Sequence, residues 1–204
     1  MWRYKFGSQL EKISFHSEGR IVLGHRISEN GIEVDHAKIE TIENLSPLTN
    51  VRSFLGHVEF YQWFIRNFSK IAKSLCNLLI KGAPFNFSND CLQAFELLKG
   101  KLITALIIVA PDWSLPFEVM YDASNYILGV VLGQRRNKIC QVVYYASKTI
   151  NEAQQNYTTM EKELLVVVFT FDKFCFYLIG SKIVVLTDHS ALKYLLAKKE
   201  AKQM

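Results

Sequence analysis

The stretch that decides the fold is Tyr157–His189, YTTMEKELLVVVFTFDKFCFYLIGSKIVVLTDH. Thr158 and Glu161 form a T-x-x-E pattern, the mark of a capping box at a helix start. Leu164, Val167, Val168, Phe171, Cys175 and Leu178 recur at helical spacing and predict a helix that buries this stripe. Gly180 stops it. Ile183 to Thr187, IVVLT, is a continuous apolar run, as expected of a strand covered on both faces. A long helix that delivers the chain into such a strand is a crossover unit, and it asks for a parallel partner strand earlier in the chain.

That partner is Phe117–Ala123, FEVMYDA. It alternates, with Phe117, Val119 and Tyr121 on one face and Glu118, Met120 and Asp122 on the other. Ser124-Asn125 starts a turn, Ile127 to Leu132 is a second strand, and RRNK turns into a third, Ile139 to Ala146, so the three form an antiparallel meander. A short helix, SALKYLLAKK, follows the last strand. The expected fold class is α/β, a mixed sheet with a three-strand meander, a crossover helix and a parallel fourth strand.

Before Ala110 the texture is different, and the turn-rich joint APDWSLP sets the boundary, dividing the chain into residues 1–111 and 112–204. Upstream, Lys12 to Ile27 reads as a β-hairpin: KISFH alternates, SEGR turns and IVLGHRI returns. Gly31 marks a further turn and LSPLTN breaks the pattern. Thr49 or Asn50 caps a helix to about Phe68, with Phe54, Val58, Tyr61 and Ile65 on its apolar face. Ser69 caps a second helix that ends at Gly82. Ser88 caps a third, to about Ile103, with Leu92, Phe95 and Leu98 or Lys99 inward. The first part is thus a mostly α-helical subdomain behind an N-terminal hairpin.

Composition bounds the function. Half of the 204 residues are hydrophobic and 13% aromatic, so the chain should fold. The net charge of +5 suits a phosphate-bearing partner without demanding one. The four cysteines form no C-x-x-C pair, which argues against a zinc or redox motif. MWRYKFGSQ has no apolar core of a signal peptide, and the longest apolar run, Leu164 to Phe171, is too short to span a bilayer. The expectation is an intracellular protein, cytoplasmic or nuclear, with no membrane partner.

Three acids fall at the element ends where a site would form. Asp122 ends the first strand, Glu163 lies in the first turn of the crossover helix, and Asp188 follows the parallel strand. Carboxylates gathered there repel one another and resist desolvation, so the cluster calls for a cation. Oxygen donors select Mg²⁺ or Mn²⁺, and two such ions activate water and stabilise a leaving oxygen in phosphodiester cleavage. Spacing alone leaves plainer roles open: Asp122 as a turn cap, Glu163 as an acid favoured by the helix dipole, Asp188 as the N-cap of the last helix.

The longer motifs narrow this. VMYDASNYILGVVLGQ, VVYYASKTINEAQQNYTTMEKELLVVVF and YLIGSKIVVLTDHSALKYLL resemble the ribonuclease H domain of gypsy-type LTR retrotransposon polyproteins. GRIVLGHRISENGIEVDHAKIETI and VRSFLGHVEFYQWFIRNFSKIAKSL resemble the region after the polymerase palm, the primer-grip hairpin and the thumb and connection helices. The resemblance implies a ribonuclease H-like fold and cleavage of the RNA strand of RNA–DNA hybrids. It matches Asp122, Glu163 and Asp188 to the family's catalytic, metal-binding acids, with two Mg²⁺ or Mn²⁺ ions. Glu163 is preferred over its neighbour Glu161 because it directly precedes the Leu-Leu of the family's helix pattern. The resemblance also implies that Arg52, Arg66, Lys70 and Lys73 lie on helices that approach the nucleic acid. Tyr61 and Trp63 read either as base-stacking groups or, by their spacing, as core. His189 matches the T-D-H signature.

Departures from the family pattern qualify the expected activity. The paired polymerase aspartates are absent, since no Asp-Asp occurs, so no polymerase centre is expected here. The chain stops at Met204, before the family's further strand and acid-bearing helix, which leads to the expectation of a truncated nuclease domain. Asn125, Val166 and Trp63 stand where the family usually has other residues. The alternative to a nuclease is a catalytically inactive remnant that at most binds nucleic acid.

Overall fold

The computed structural model describes residues 20–187, apart from positions 29, 48–50, 83, 106 and 125. Asp188, His189, the SALKYLLAKK segment, the first half of the expected hairpin, Asn125 and the Thr49/Asn50 cap lie outside the described residues.

The chain opens with three short antiparallel strands, β1 (Arg20–Val22), β2 (His25–Ser28) and β3 (Gly31–Val34). The sequence reading takes IVLGHRI as one strand, but the structure folds it on itself. Leu23 and Gly24 both have positive φ, 50° and 77°, giving the tight turn whose twist matches a hairpin. Gly31, at φ 136°, is required sterically, because a Cβ there would overlap the Ile108 carbonyl that bonds Ile32.

Helix α1 (His36–Glu43) is absent from the sequence reading, which takes this region as a turn followed by a breaker. It is capped by Asp35, whose side chain accepts from the Ala37 amide at 3.3 Å, and buries only Ile42. So short and weakly amphipathic a helix leaves little periodic signal. Next come α2 (Val51–Phe60), a 3-10 turn (Gln62–Phe64), α3 (Phe68–Asn77) and α4 (Asn89–Ile103). The expected helix to Phe68 therefore breaks after Phe60. Its apolar set survives the break: Phe54, Val58, Tyr61 and Ile65 are all buried. On α4 the inward residues are Cys91, Ala94, Phe95, Leu98 and Leu102, while Leu92 is exposed.

After the joint, β4 (Phe117–Ala123), β5 (Ile127–Arg136) and β6 (Ile139–Thr149) form the expected meander. Asn137 and Lys138, both at positive φ, close the β5–β6 turn. A short helix, α5 (Glu152–Gln155), leads to the crossover helix α6 (Thr159–Leu178), and β7 (Ile183–Leu186) follows. Strand order is β6-β5-β4-β7, with β4 and β7 parallel. This is the expected mixed α/β sheet.

Two features of this unit differ from the sequence reading. The buried stripe of α6 is Lys162, Glu163, Val166, Thr170, Phe174 and Leu178, whereas Leu164, Val168 and Phe171 are exposed. When most positions are apolar, periodicity cannot say which side faces the sheet. Strand β7 is not enclosed among the described residues, and Val184 and Leu186 are exposed on one face.

Two apolar clusters result, one built from β3 to the Ile108 segment and one from the sheet and α6. They are bound across their junction. Gln134 is 1% exposed; its side chain accepts from the Asp112 amide at 2.8 Å and donates to the carbonyls of Asp112 and Leu115. Ser69 donates its amide to the Ser147 hydroxyl and its own hydroxyl to the Ser147 carbonyl, fastening the start of α3 to edge strand β6.

Candidate nuclease site

Asp122 is exposed in the last turn of pairing of β4, opposite Gly129 of β5. Strand alternation puts it on the face shared with Met120, away from Tyr121, which packs in the cluster beneath α6. Glu163 is 9% exposed and lies on the sheet-facing stripe of α6.

The direction of α6 is set by ring contacts. Tyr177, near its C-terminus, meets Phe117 at the start of β4, with centroids 6.1 Å apart. Phe169 lies under the ammonium of Lys148, which pairs with Leu128, itself opposite Ala123 at the end of β4. The helix thus runs back along β4. About 21 Å of helix from Tyr177 to Glu163 spans the roughly 17 Å of strand from Phe117 to Asp122. Glu163 and Asp122 therefore stand at the same end of the sheet. The β4–β7 register reaches Met120 opposite Leu186, each two residues before an aspartate of the expected set. Among the described residues there is no cluster of three metal-ligating side chains; Asp188 lies outside them.

Glu161 is occupied differently. Its Oε2 accepts from the Thr158 amide and hydroxyl, both at 2.8 Å, closing the expected capping box. Those hydrogen bonds lower the carboxyl's pKa.

The four basic residues separate. Arg66 lies in the turn before α3 rather than on a helix, and it lines a cleft of about 260 Å³ with Asn67, Met120, Asp122, Gly129, Cys140 and Tyr145. Burial raises the Tyr145 hydroxyl's pKa, and the Arg66 charge draws it down. Lys70 is exposed on α3, and Lys73 stands 5.5 Å from the Tyr126 ring. Arg52 is exposed on α2 and does not line this cleft.

The two aromatics that read as possible stacking groups are packed inside. Tyr61 is 2% exposed; its hydroxyl donates to the Gly24 carbonyl at 2.8 Å, and burial raises its pKa to about 12. Trp63 is half-buried between Phe64 and Tyr144.

Other groups escaped the sequence reading. His25 is buried among Phe60, Tyr61, Trp63 and Phe64, and desolvation lowers its pKa despite hydrogen bonds with the Leu23 and Val22 backbone. Glu118 and Arg135 form a two-pronged ion pair at 2.7 and 3.0 Å, which holds the Glu118 carboxyl below its usual range. Asn67 adopts the left-handed conformation, φ 58°, and its Oδ1 lies 3.2 Å from where a Cβ on residue 129 would sit. A lone glycine inside a strand is the one advance signal of such an approach.

Comparison with known proteins agrees with this architecture. Residues 112–204 match the RNase H-like domain found in reverse transcriptase. The Pol polyproteins of the Drosophila melanogaster transposons opus, 297 and gypsy are 33%, 34% and 32% identical over 93%, 94% and 92% of this chain. The chain belongs to the gypsy-type retrotransposon Pol family. This Pol segment spans about a fifth of the length of those relatives, 20%, 18% and 19% respectively. Its fold is that of the foamy viral protease-reverse transcriptase. The form in complex with double-stranded DNA superposes with a TM-score of 0.77 at 22% identity, over 93% of this chain and 40% of that one. The complex with an RNA/DNA hybrid gives 0.74 at 22%, over 89% and 26%. Residues 112–204 of the Pol segment are thus its RNase H-like domain. No helix among its described residues is long and apolar enough to cross a membrane.

Proposed function

We propose that this chain carries the ribonuclease H centre of a retrotransposon reverse transcriptase and hydrolyses the RNA strand of RNA–DNA hybrids. The observation that carries this reading is the antiparallel run of α6 over β4, which leaves Glu163 and Asp122 at one end of the sheet. The donor set fits a hard divalent cation: Asp122, Glu163 and Asp188 offer only carboxylate oxygens. When bound, Mg²⁺ or Mn²⁺ supplies an activated water and charge stabilisation at the scissile phosphate. The residues of the chain bind and orient that phosphate. Asp122, open to solvent, is the acid that meets the substrate side, and Glu163 lies buried under α6 at the same end of the sheet. Arg66, Lys70 and Lys73, on the turn and helix that lead into the nuclease part, are proposed contacts to the nucleic-acid backbone; Arg52, expected beside them, stands apart on α2 and is left out of that set. The relative solved with an RNA/DNA hybrid supports that substrate class.

The test is incubation of the full chain with a labelled RNA–DNA hybrid in Mg²⁺ or Mn²⁺, beside Asp122→Asn. Cleavage that the variant loses is expected. Salt-sensitive binding without turnover would instead identify a non-catalytic remnant that only binds nucleic acid.

A further inference from the structure

The Arg66–Asn67 turn belongs to the helical part of the chain, yet it enters the cleft of the nuclease sheet. Three observations show that this placement is built. Asn67 holds a left-handed backbone, φ 58°, which asparagine tolerates better than most residues. Its amide oxygen approaches β5 at Gly129, where any side chain would crowd it. Ser69, two residues on, is fastened to Ser147 of β6 by donating its amide to the Ser147 hydroxyl at 2.8 Å and its hydroxyl to the Ser147 carbonyl at 2.9 Å. The turn is held from both sides; both of its residues are exposed, and Arg66 carries its charge. In the same cleft lie Asp122 and Tyr145, and Arg66 is the only lysine or arginine lining it among the described residues.

We infer that the cleft is a composite substrate site in which the reverse-transcriptase part supplies Arg66 as the phosphate anchor for the nucleic-acid strand lying across Asp122. This rests on the nuclease reading above and deepens it. A strand presented to a carboxylate centre brings its own negative charge. A guanidinium fixed beside that centre offsets the repulsion and grips phosphate oxygens in a two-pronged geometry that an ammonium cannot reproduce. Arg66 is a positioning residue: it holds the strand in register and leaves the chemistry to the carboxylates. Arg52, outside the cleft, has no such role.

The experiment is equilibrium binding of a fluorescent RNA–DNA hybrid to the full chain in EDTA, so that turnover plays no part. It is run over a salt series with Arg66→Ala, Arg66→Lys and Arg52→Ala, each checked for an unchanged unfolding midpoint. Arg66→Ala is expected to weaken binding about tenfold and to flatten the salt dependence by about one ion. Arg66→Lys should recover the salt slope and only part of the affinity. Arg52→Ala should bind like the parent. Equal losses in Arg66→Ala and Arg52→Ala would overturn the anchor, leaving a diffuse basic surface, and so would wild-type affinity in Arg66→Ala. A parent chain that binds no hybrid would overturn the nuclease reading as well.

Discussion

Tyr177 meets Phe117 edge-on, with ring centroids 6.1 Å apart and planes at 68°. This one contact ties the end of the crossover helix to the beginning of the central strand, and so sends the helix start, with Glu163, to the far end where Asp122 stands.

Removing the Phe117 ring should loosen the whole RNase H-like sheet. The residue is fully buried, and truncation to alanine opens a cavity that Trp113 and Tyr177 border. Phe117→Ala is expected to cost about 3–5 kcal/mol, read as a lower urea midpoint.

The two glutamates of the α6 start should separate by role. Glu163→Gln is expected to abolish hybrid cleavage while keeping hybrid binding. Glu161→Gln should keep cleavage and lower stability. Since its capping bonds depress the Glu161 carboxyl, that contribution is present above the unfolded carboxyl value and lost as pH falls through the folded one. Cleavage assays paired with thermal melts at pH 7 and pH 4 separate the two, and loss of turnover in Glu161→Gln alone would reverse the assignment.

His25 should make the hairpin sensitive to acid. Burial favours its neutral form and lowers its pKa, so its contribution is full above about 6.5 and is lost as pH falls through the lower folded value. The melting temperature is expected to fall between pH 7 and pH 5, and His25→Phe, which keeps a ring among Phe60, Tyr61, Trp63 and Phe64, should flatten that fall. An unchanged slope in the variant would remove His25 from the effect.

Gln134 should govern the joint between the two parts. Gln134→Leu leaves the Asp112 amide and carbonyl and the Leu115 carbonyl without their side-chain partner, at a cost of about 1–3 kcal/mol. Limited proteolysis is the direct readout, with new cleavage expected near residues 110–115.

Much of this was legible residue by residue. The capping box of Thr158 and Glu161, the stop at Gly180, the turn at Asn137-Lys138 and the alternation of Phe117–Ala123 are local chemistry, with each signal and its consequence within a few residues. Errors arose where local signals were degenerate. Every side of α6 carries apolar residues, so its pattern alone placed Val168 and Phe171 inside and Glu163 off the stripe. IVLGHRI looks uniformly extended until Leu23-Gly24 turns it.

What the chain's local chemistry determines, then, is the order of elements and the crossover. Packing decides the rest: which side of α6 meets the sheet, the burial of Tyr61 and His25, the hold of Gln134 on the joint, and the entry of Arg66 into the Asp122 cleft. These depend on contacts such as Ser69 with Ser147 and Asn67 with Gly129, between residues far apart in sequence. No local propensity encodes such pairs, because their free energy exists only once two separately formed surfaces have met.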